Sequence, residues 1–356
     1  VVDACGAARV AAMSQDALWR VRPGRPDDLP AVLALAKLTG GGFTNLPPDA
    51  DALASRLDWS ARSFARTEDV PAGELYLLLL EEVATGRIGG TAMLFSRVGA
   101  QWPFYSYKLC TLTQSSRELG RTFRTQFLSL TTDFDGASEV GGLFLHPDLR
   151  SGGLGRLLAR ARYLFMAQHR ARFGTQVLAE LRGVMDADGN SPFWDALGLK
   201  FFGLSFPEAD EFNAIHGNQF IADLMPKNPI YTALLPDAAR AAIGQPHASG
   251  RGALAMLEAE GFAFDNYVDI FDGGPTVAAR IDDLKTVRTA RETLVTALAA
   301  DVDGPPNLVA CGLLGDFQAF IAPLVEASES GASTLPAAIA QPLGIAPGTR
   351  IRHAPC

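Results

Sequence analysis

Apolar and polar positions recur along this chain in a pattern that predicts alternating strands and helices. Trp19-Arg20-Val21-Arg22-Pro23 reads as a strand, and Asp27-Asp28-Leu29 opens a capped helix to about Leu38. Leu75 to Glu81 and Arg87 to Ser96 predict paired strands around a turn at Thr85-Gly86. Gln126 to Thr131 and Ser138 to Leu145 read as further strands, joined by a polar turn at Asp133 to Gly136. Leu154, Leu157, Leu158, Ala161 and Phe165 share one face of a long helix, and Arg156, Arg160, Arg170 and Arg172 supply its polar surface. Val177 to Leu181 then completes a strand–helix–strand unit. Ser191 to Phe202 reads as a short helix closed by Leu197-Gly198 before an aromatic strand, and Ala253 to Phe262 repeats that pattern. Such joints are common, so both internal duplication and coincidence fit the repeat. Asp301 to Asn307 and Ser328 to Pro336 read as loops, and Leu343 to Arg352 as a turn and a final strand.

The 356 residues allow about two domains and a sizeable core. A net charge of -8 without long basic runs argues against nucleic acid or an anionic membrane as partner. No apolar run reaches the roughly 20 residues of a membrane helix. Cys5, Cys110, Cys311 and Cys356 stand far apart, without zinc or disulfide spacing, so the expected compartment is a reducing cytoplasm. Histidines and cysteines form no metal-ligand cluster, and no Gly-x-Ser-x-Gly or His-Glu-x-x-His motif is present. No metal and no permanently bound cofactor are expected. Residues 1–18 lack signal-peptide character and read as a disordered extension, or as sequence upstream of a start at Met13.

The most telling stretch runs from Leu143 through His146-Pro147-Asp148-Leu149-Arg150-Ser151-Gly152-Gly153-Leu154-Gly155-Arg156. A buried strand, a turn rich in glycine and arginine, and a helix start follow in order. Unpartnered N–H groups and the macrodipole make such a helix start an anion site. Glycines admit a phosphate close to the backbone. The dinucleotide fingerprint fails at Leu158, and no Gly-Lys-Ser or Gly-Lys-Thr follows. Arg150-x-x-Gly153-x-Gly155 after a strand resembles the pyrophosphate loop of the GCN5-related N-acyltransferases, which hold coenzyme A. An ordinary glycine-rich strand–helix turn is the plainer alternative. The fold this implies is α/β: a GCN5-related N-acyltransferase-like twisted mixed sheet flanked by helices, followed by a second α/β region. The expected division is an acyl-CoA-binding domain over residues 19–205 and a C-terminal region over 206–356. That region completes the active site and ends in a small β-rich segment.

Longer strings narrow the resemblance. They are Leu38 to Pro47, Ala179-Glu180-Leu181-Arg182-Gly183-Val184, Phe220 to Pro226, and Tyr267-Val268-Asp269-Ile270-Phe271-Asp272-Gly273-Gly274-Pro275-Thr276. With these, Trp19 to about Thr289 is similar to the arginine N-succinyltransferases of bacterial arginine catabolism, and the last 60 or so residues match weakly. The resemblance implies transfer of succinyl from succinyl-CoA to the α-amine of L-arginine, with succinyl-CoA as co-substrate. An α-amine with a pKa near 8 is partly neutral at neutral pH, whereas the guanidinium stays protonated. The resemblance also implies that His247 donates a proton to the leaving thiolate. Here Pro246 and Ala248 flank it, where the family usually has valine before and proline after. Leu143 matches a succinyl-CoA contact, made through the backbone. Backbone N–H groups of Gly152, Gly153, Leu154 and Gly155 would hold the pyrophosphate, with Arg150 and Arg156 adding charge.

Glu180 and Arg182 are candidates for the arginine cation and the succinyl carboxylate, or for a structural pair with each other. Glu139 and Lys108 are alternatives for the same two jobs. Tyr105 and Tyr107 could line a cleft or pack in a core. His146 stands where the family has an aspartate and reads as a turn residue. Ornithine as acceptor, another acyl-CoA as donor, or a non-catalytic subunit beside an active paralogue remain alternatives. Partners expected are the small-molecule substrates and a second subunit, identical or related.

Overall fold

The computed structural model describes residues 17–39, 44–186, 188–209, 212, 224–327 and 331–356. In chain order the strands are β1 (Trp19–Pro23), β2 (Leu75–Glu82), β3 (Ile88–Phe95), β4 (Ser106–Ser116), β5 (Arg121–Thr131), β6 (Ser138–Leu145), β7 (Gln176–Glu180), β8 (Ile230–Tyr231), β9 (Ala263–Val268), β10 (Pro275–Arg280), β11 (Arg291–Ala299), β12 (Pro306–Cys311), β13 (Gln318–Pro323), β14 (Val325–Ala327), β15 (Ala332–Pro336) and β16 (Arg350–Pro355). The longer helices are α1 (Leu29–Lys37), α2 (Ala50–Ala65) and α3 (Leu154–Gln168); α4 (Pro192–Ala196), α5 (Gly198–Phe202), α6 (Asp237–Ala242) and α7 (Arg251–Glu260) are shorter. Two compact units form. The first gathers residues 1–96, 140–174 and 281–356, and the second residues 97–139 and 175–280. This partition differs from a single cut at 205/206. The expected extension over residues 1–18 lies outside the described residues except for Ala17 and Leu18.

In the first unit β1, β2 and β3 form an antiparallel meander with Val21 opposite Leu80 and Leu78 opposite Ala92. Residues Leu75–Glu81 are all buried, as expected of a strand covered on both faces. The β2–β3 turn sits where the sequence places it, and Gly86 takes φ 72° to close it. α2 begins at Asp49, whose carboxylate accepts the Ala52 N–H at 2.7 Å. Its buried face, Leu53, Leu57 and Phe64, covers the sheet. On the other side of β1 the sheet continues through β13, β12, β16, β11, β15 and β14. Val21 stands opposite Ala319 there.

Several expectations change in this unit. Ala332–Pro336, read as loop, is β15 and pairs in parallel with β11; residues 328–330 lie outside the described residues. Asn307 lies within β12 rather than in a loop, opposite Ala322 and Pro355. Arg172 is not surface: it is 1% exposed, its Nε donating to Asp69 at 2.8 Å and its Nη2 to the Arg66 carbonyl at 2.8 Å.

In the second unit β7, β10, β9, β4, β5 and β8 lie side by side. The start of β6 joins β7 in parallel, with Glu139 opposite Leu178, as a strand–helix–strand connection requires. β4 and β5 form an eleven-pair hairpin, of which the apolar pattern marks only the Gln126–Thr131 end. Tyr107 is fully buried in a cluster with Phe193 and Trp194, and Tyr105 packs on the same cluster, so both are packing residues. Gly198–Phe202 is helix α5 rather than a strand, ended by Gly203 at φ 67°. The Trp194 ring stacks on Phe202 at 5.3 Å and on Phe271 at 5.6 Å, and that stacking holds α5 in place. Among the described residues, no helix is long and apolar enough to cross a membrane.

Candidate active site

The glycine-rich loop belongs to the first unit. His146 Nδ1 accepts the Asp148 N–H at 3.3 Å and caps a single 3-10 turn, the turn role the sequence gives it. Arg150 follows; its Nε donates to the Leu145 carbonyl at 3.3 Å, and its guanidinium carbon lies 5.7 Å from the Phe144 ring centre. Ser151 and Gly153 take left-handed backbone, φ 104° and 83°. A serine there costs about 1–3 kcal/mol, a strain found at ligand clamps. The Gly153 carbonyl accepts the N–H groups of Arg156 and Leu157 at 3.0 and 3.1 Å and starts α3. The N–H groups of Leu154 and Gly155 lie in the first turn, where a helix offers them no internal acceptor. Leu154 is buried, Gly155 half-buried and Arg156 exposed. A Cβ on Gly152 would meet no atom within 4 Å. Upstream, Leu143 is half-buried, beside Gly142 at φ 55°.

The other candidates belong to the second unit. Cross-strand pairing sets Glu180 opposite Thr276, Thr276 opposite Tyr267, and Tyr267 opposite Lys108. Directly paired residues point to one face, so these four side chains form a row across β7, β10, β9 and β4. Glu139, paired with Leu178, shares that face because Leu178 and Glu180 are two apart. Three strand spacings, about 14 Å, separate Lys108 from Glu180. Lys108 is already engaged: its Nζ donates to the Tyr267 hydroxyl at 2.8 Å, which donates to Asp133 at 2.7 Å. Its pKa is raised by that hydrogen bond.

Glu180 stands among carboxylates. Burial, and then the charges of Asp269, Glu139 and Asp272, push its pKa well above the usual carboxylate range. Asp272 is 7% exposed and accepts the Gly183 N–H at 2.7 Å and the Gly274 N–H at 2.8 Å. Burial and Asp269 raise it to about 7, opposed by those two bonds and by Arg182. Arg182 thus acts on Asp272, whose pKa it lowers. A Cβ on Gly274 would sit 2.1 Å from the Leu181 carbonyl oxygen, so the Asp269–Gly274 turn packs backbone to backbone against the chain after β7.

His247 joins the same framework. Its N–H donates to the Arg182 carbonyl at 2.7 Å, Gly183 bridges Pro246, and the Gly244 N–H donates to the Gly273 carbonyl at 2.7 Å. The imidazole is half-buried. Its Nδ1 lies 2.7 Å from Ser249 Oγ and accepts the Ser249 N–H at 3.3 Å. An accepting Nδ1 leaves the proton of the neutral ring on Nε2.

The arrangement unites two of the strings singled out in the sequence, Ala179–Val184 and Tyr267–Thr276, through the Glu180–Thr276 pair and the Gly183–Asp272 bond. Residues 19–286 match the family described as arginine N-succinyltransferase beta subunit. The chain belongs to the arginine N-succinyltransferase family. Residues 291–355 match the C-terminal domain of the same beta subunit, so the last 60 or so residues, read as a weak match, carry a family domain of their own. The chain is similar to the arginine N-succinyltransferase subunit beta of Pseudomonas aeruginosa, 40% identical over 289 residues, 81% of this chain and 84% of the relative. It is 42% identical over 303 residues to the arginine N-succinyltransferase of Enterobacter sp., 85% of this chain and 88% of the relative. A solved structure, the arginine/ornithine succinyltransferase subunit AI from Pseudomonas aeruginosa, superposes with TM-score 0.86 at 34% identity, covering 95% of this chain and 99% of that one. The α/β fold is that of the family, and the chain is an acyltransferase.

Two other family strings, Leu38 to Pro47 and Phe220 to Pro226, fall partly on residues 40–43 and 220–223, outside the described residues. Asp269, Asp272 and Thr276 were given no role from sequence. The signal for them was the Asp-x-x-Asp-Gly-Gly spacing, two acids flanking a turn too tight for any Cβ.

Proposed function

We propose that the chain transfers the succinyl group of succinyl-CoA to the α-amine of L-arginine, in arginine catabolism. The observation that carries this reading is the carboxylate group around Glu180 in a member of this family. Asp269, Glu139 and Asp272 raise the pKa of Glu180, and Asp269 raises that of Asp272; a bound guanidinium or ammonium would relieve that repulsion. Arg182 and Lys108 are the two candidate cations for the succinyl carboxylate; Lys108 is held by the Tyr267 hydroxyl. The CoA pyrophosphate would rest on the N–H groups from Gly152 to Gly155, with Arg150 and Arg156 adding charge and the backbone at Leu143 meeting the pantetheine arm. Gly152 leaves room for it, since no atom of the described residues lies within 4 Å of a Cβ built there.

The neutral α-amine attacks the thioester carbonyl. A C–N bond forms, the C–S bond breaks, and the amine sheds a proton. Glu180, with its raised pKa, can take that proton; His247 donates one from Nε2 to the departing thiolate when its ring is the imidazolium, with Nδ1–H turned to Ser249 Oγ, and so returns to the neutral ring. Ornithine is a second acceptor to consider, since the structural relative is titled an arginine/ornithine succinyltransferase. A second subunit, identical or related, is proposed on the strength of the relatives' subunit names.

The test is free-thiol release from succinyl-CoA and acetyl-CoA by the purified chain, with L-arginine and L-ornithine offered in turn. Release that needs succinyl-CoA and arginine together is expected. Release with ornithine or acetyl-CoA alone would move the specificity. A folded, CoA-binding chain silent with every pair would refute catalysis by this chain alone.

A further inference from the structure

A separate cavity of about 790 Å³ opens in the first unit, lined from β11, β12, β14 and β16 and the loops beside them. Its buried floor is His353, Asn307 and Leu324, its wall is Glu326, and Arg288 and Arg291 stand exposed at its rim. His353 is 5% exposed. Hydrogen bonding fixes its tautomer. Asn307 Nδ2 donates to the Pro305 carbonyl at 3.0 Å, which turns Oδ1 toward His353 Nδ1 at 3.2 Å. Oδ1 only accepts, so Nδ1 carries the proton and Nε2 offers a lone pair.

Among the described residues that lone pair is buried without a hydrogen-bond partner. Glu326 Oε2, 3.6 Å away, is another acceptor, and Arg291 Nη1 stands 3.6 Å beyond on the same oxygen. Burial pushes the imidazole pKa down, so a proton on Nε2 does not resolve the conflict. Two acceptors side by side at the floor of a cavity call for a donor between them. Arg288, and Arg291 beyond its contact with Glu326, put positive charge at the rim for an anion above the floor, with Asp303 the other charge in the lining.

We propose that this cavity binds a small compound with a primary ammonium beside a carboxylate, an α-amino acid. The ammonium bridges His353 Nε2 and Glu326, and the carboxylate meets Arg288 and Arg291. The site is built from other residues than the Glu180 group and does not depend on the reaction proposed above.

The probe is L-alanine, too short to carry a distal cation, titrated into the full chain with 15N-labelled histidine. The His353 Nε2 resonance is expected to move upfield and saturate while the His247 resonance stays put. Propionate, which lacks the ammonium, should leave it unmoved. Glu326→Gln should weaken the alanine response by about tenfold or more. Arg291→Gln, at an exposed position, should weaken it too and serves if the first variant fails to fold. No saturable shift, an equal response to propionate, or unaltered affinity in a folded variant would overturn the assignment.

Discussion

His247 and Asp272 show what a single side chain contributes. The neutral His247 ring carries its proton on Nε2, because Nδ1 is taken by Ser249. His247→Ala is expected to lower kcat by about 10²- to 10⁴-fold while CoA binding stays unchanged, measured by turnover and by calorimetry. Full turnover would remove the residue from the mechanism. Asp272 makes a different prediction, about stability. Its folded pKa of about 7 stands above the ordinary 3.8, so the native state binds more protons than the unfolded one. Its contribution is fully present below about pH 4 and is lost as pH rises through about 7. The urea midpoint should therefore fall between about pH 4 and pH 7, and Asp272→Asn should flatten that fall. Asparagine must also turn one N–H toward the N–H of Gly183 or Gly274, so the variant starts from lower stability. A slope identical to wild type would show that Asp272 is ionised throughout.

The loop before α3 separates two kinds of glycine. Gly153 is required by the backbone, at φ 83°, and Gly153→Ala should cost about 1–2 kcal/mol of stability and weaken CoA binding as well. Gly152 faces open space, so Gly152→Ala should leave the melting temperature where it is yet weaken CoA binding about tenfold, because only a ligand would meet the new methyl. Equal CoA affinity in Gly152→Ala would mean that the pyrophosphate lies elsewhere. This loop was legible in sequence because each of its signals is local: the capped turn, the glycines and the helical spacing of Leu154, Leu157 and Leu158. The outer half of the β4–β5 hairpin was not legible, since Thr111 to Gln126 is mostly exposed, its apolar residues Leu112, Leu119 and Phe123 included, and shows no buried alternation. Gly198–Phe202 misled for the opposite reason. Its aromatic residues read as strand, and the stacking of Trp194 on Phe202 holds them in a helix instead. At the site, Glu180 and Glu139 were found as charges in strands. Asp269 and Asp272 needed the Gly183 and Gly274 contacts, which join residues 89 and two positions apart, before their closeness to Glu180 could be seen.

The first unit is assembled from stretches that begin before residue 96 and end at the last strand, and that sets the role of the C-terminal family domain. The domain is not an appendage. β13 supplies the hydrogen-bonding partner on one side of β1. Leu18 and Val83 pack into the cluster built on Val295, Phe320 and Ile351. The helix that follows the glycine-rich loop leans on the same segment: Phe165 meets Phe317 at 5.0 Å, Gln168 donates to the Gly312 carbonyl at 2.6 Å, and Arg160 donates to the Pro355 carbonyl at 2.7 Å. Ending the chain after residue 290 would expose one edge of β1 together with Leu18, Val83 and Phe165. Each large apolar side chain returned to water costs about 1.5–3 kcal/mol, and a domain has only about 5–15 kcal/mol to lose. The truncated chain should therefore fail to give a soluble, cooperatively melting protein, and an uncovered strand edge should make it aggregate. Supplying residues 291–356 as a separate chain should restore solubility, because the same strand pairing can form between two chains. A truncated chain that melts cooperatively and still binds CoA would instead mean that β1, β2 and β3 with α2 and α3 hold the loop without help. The family domain would then have to be explained by its cavity rather than by the fold.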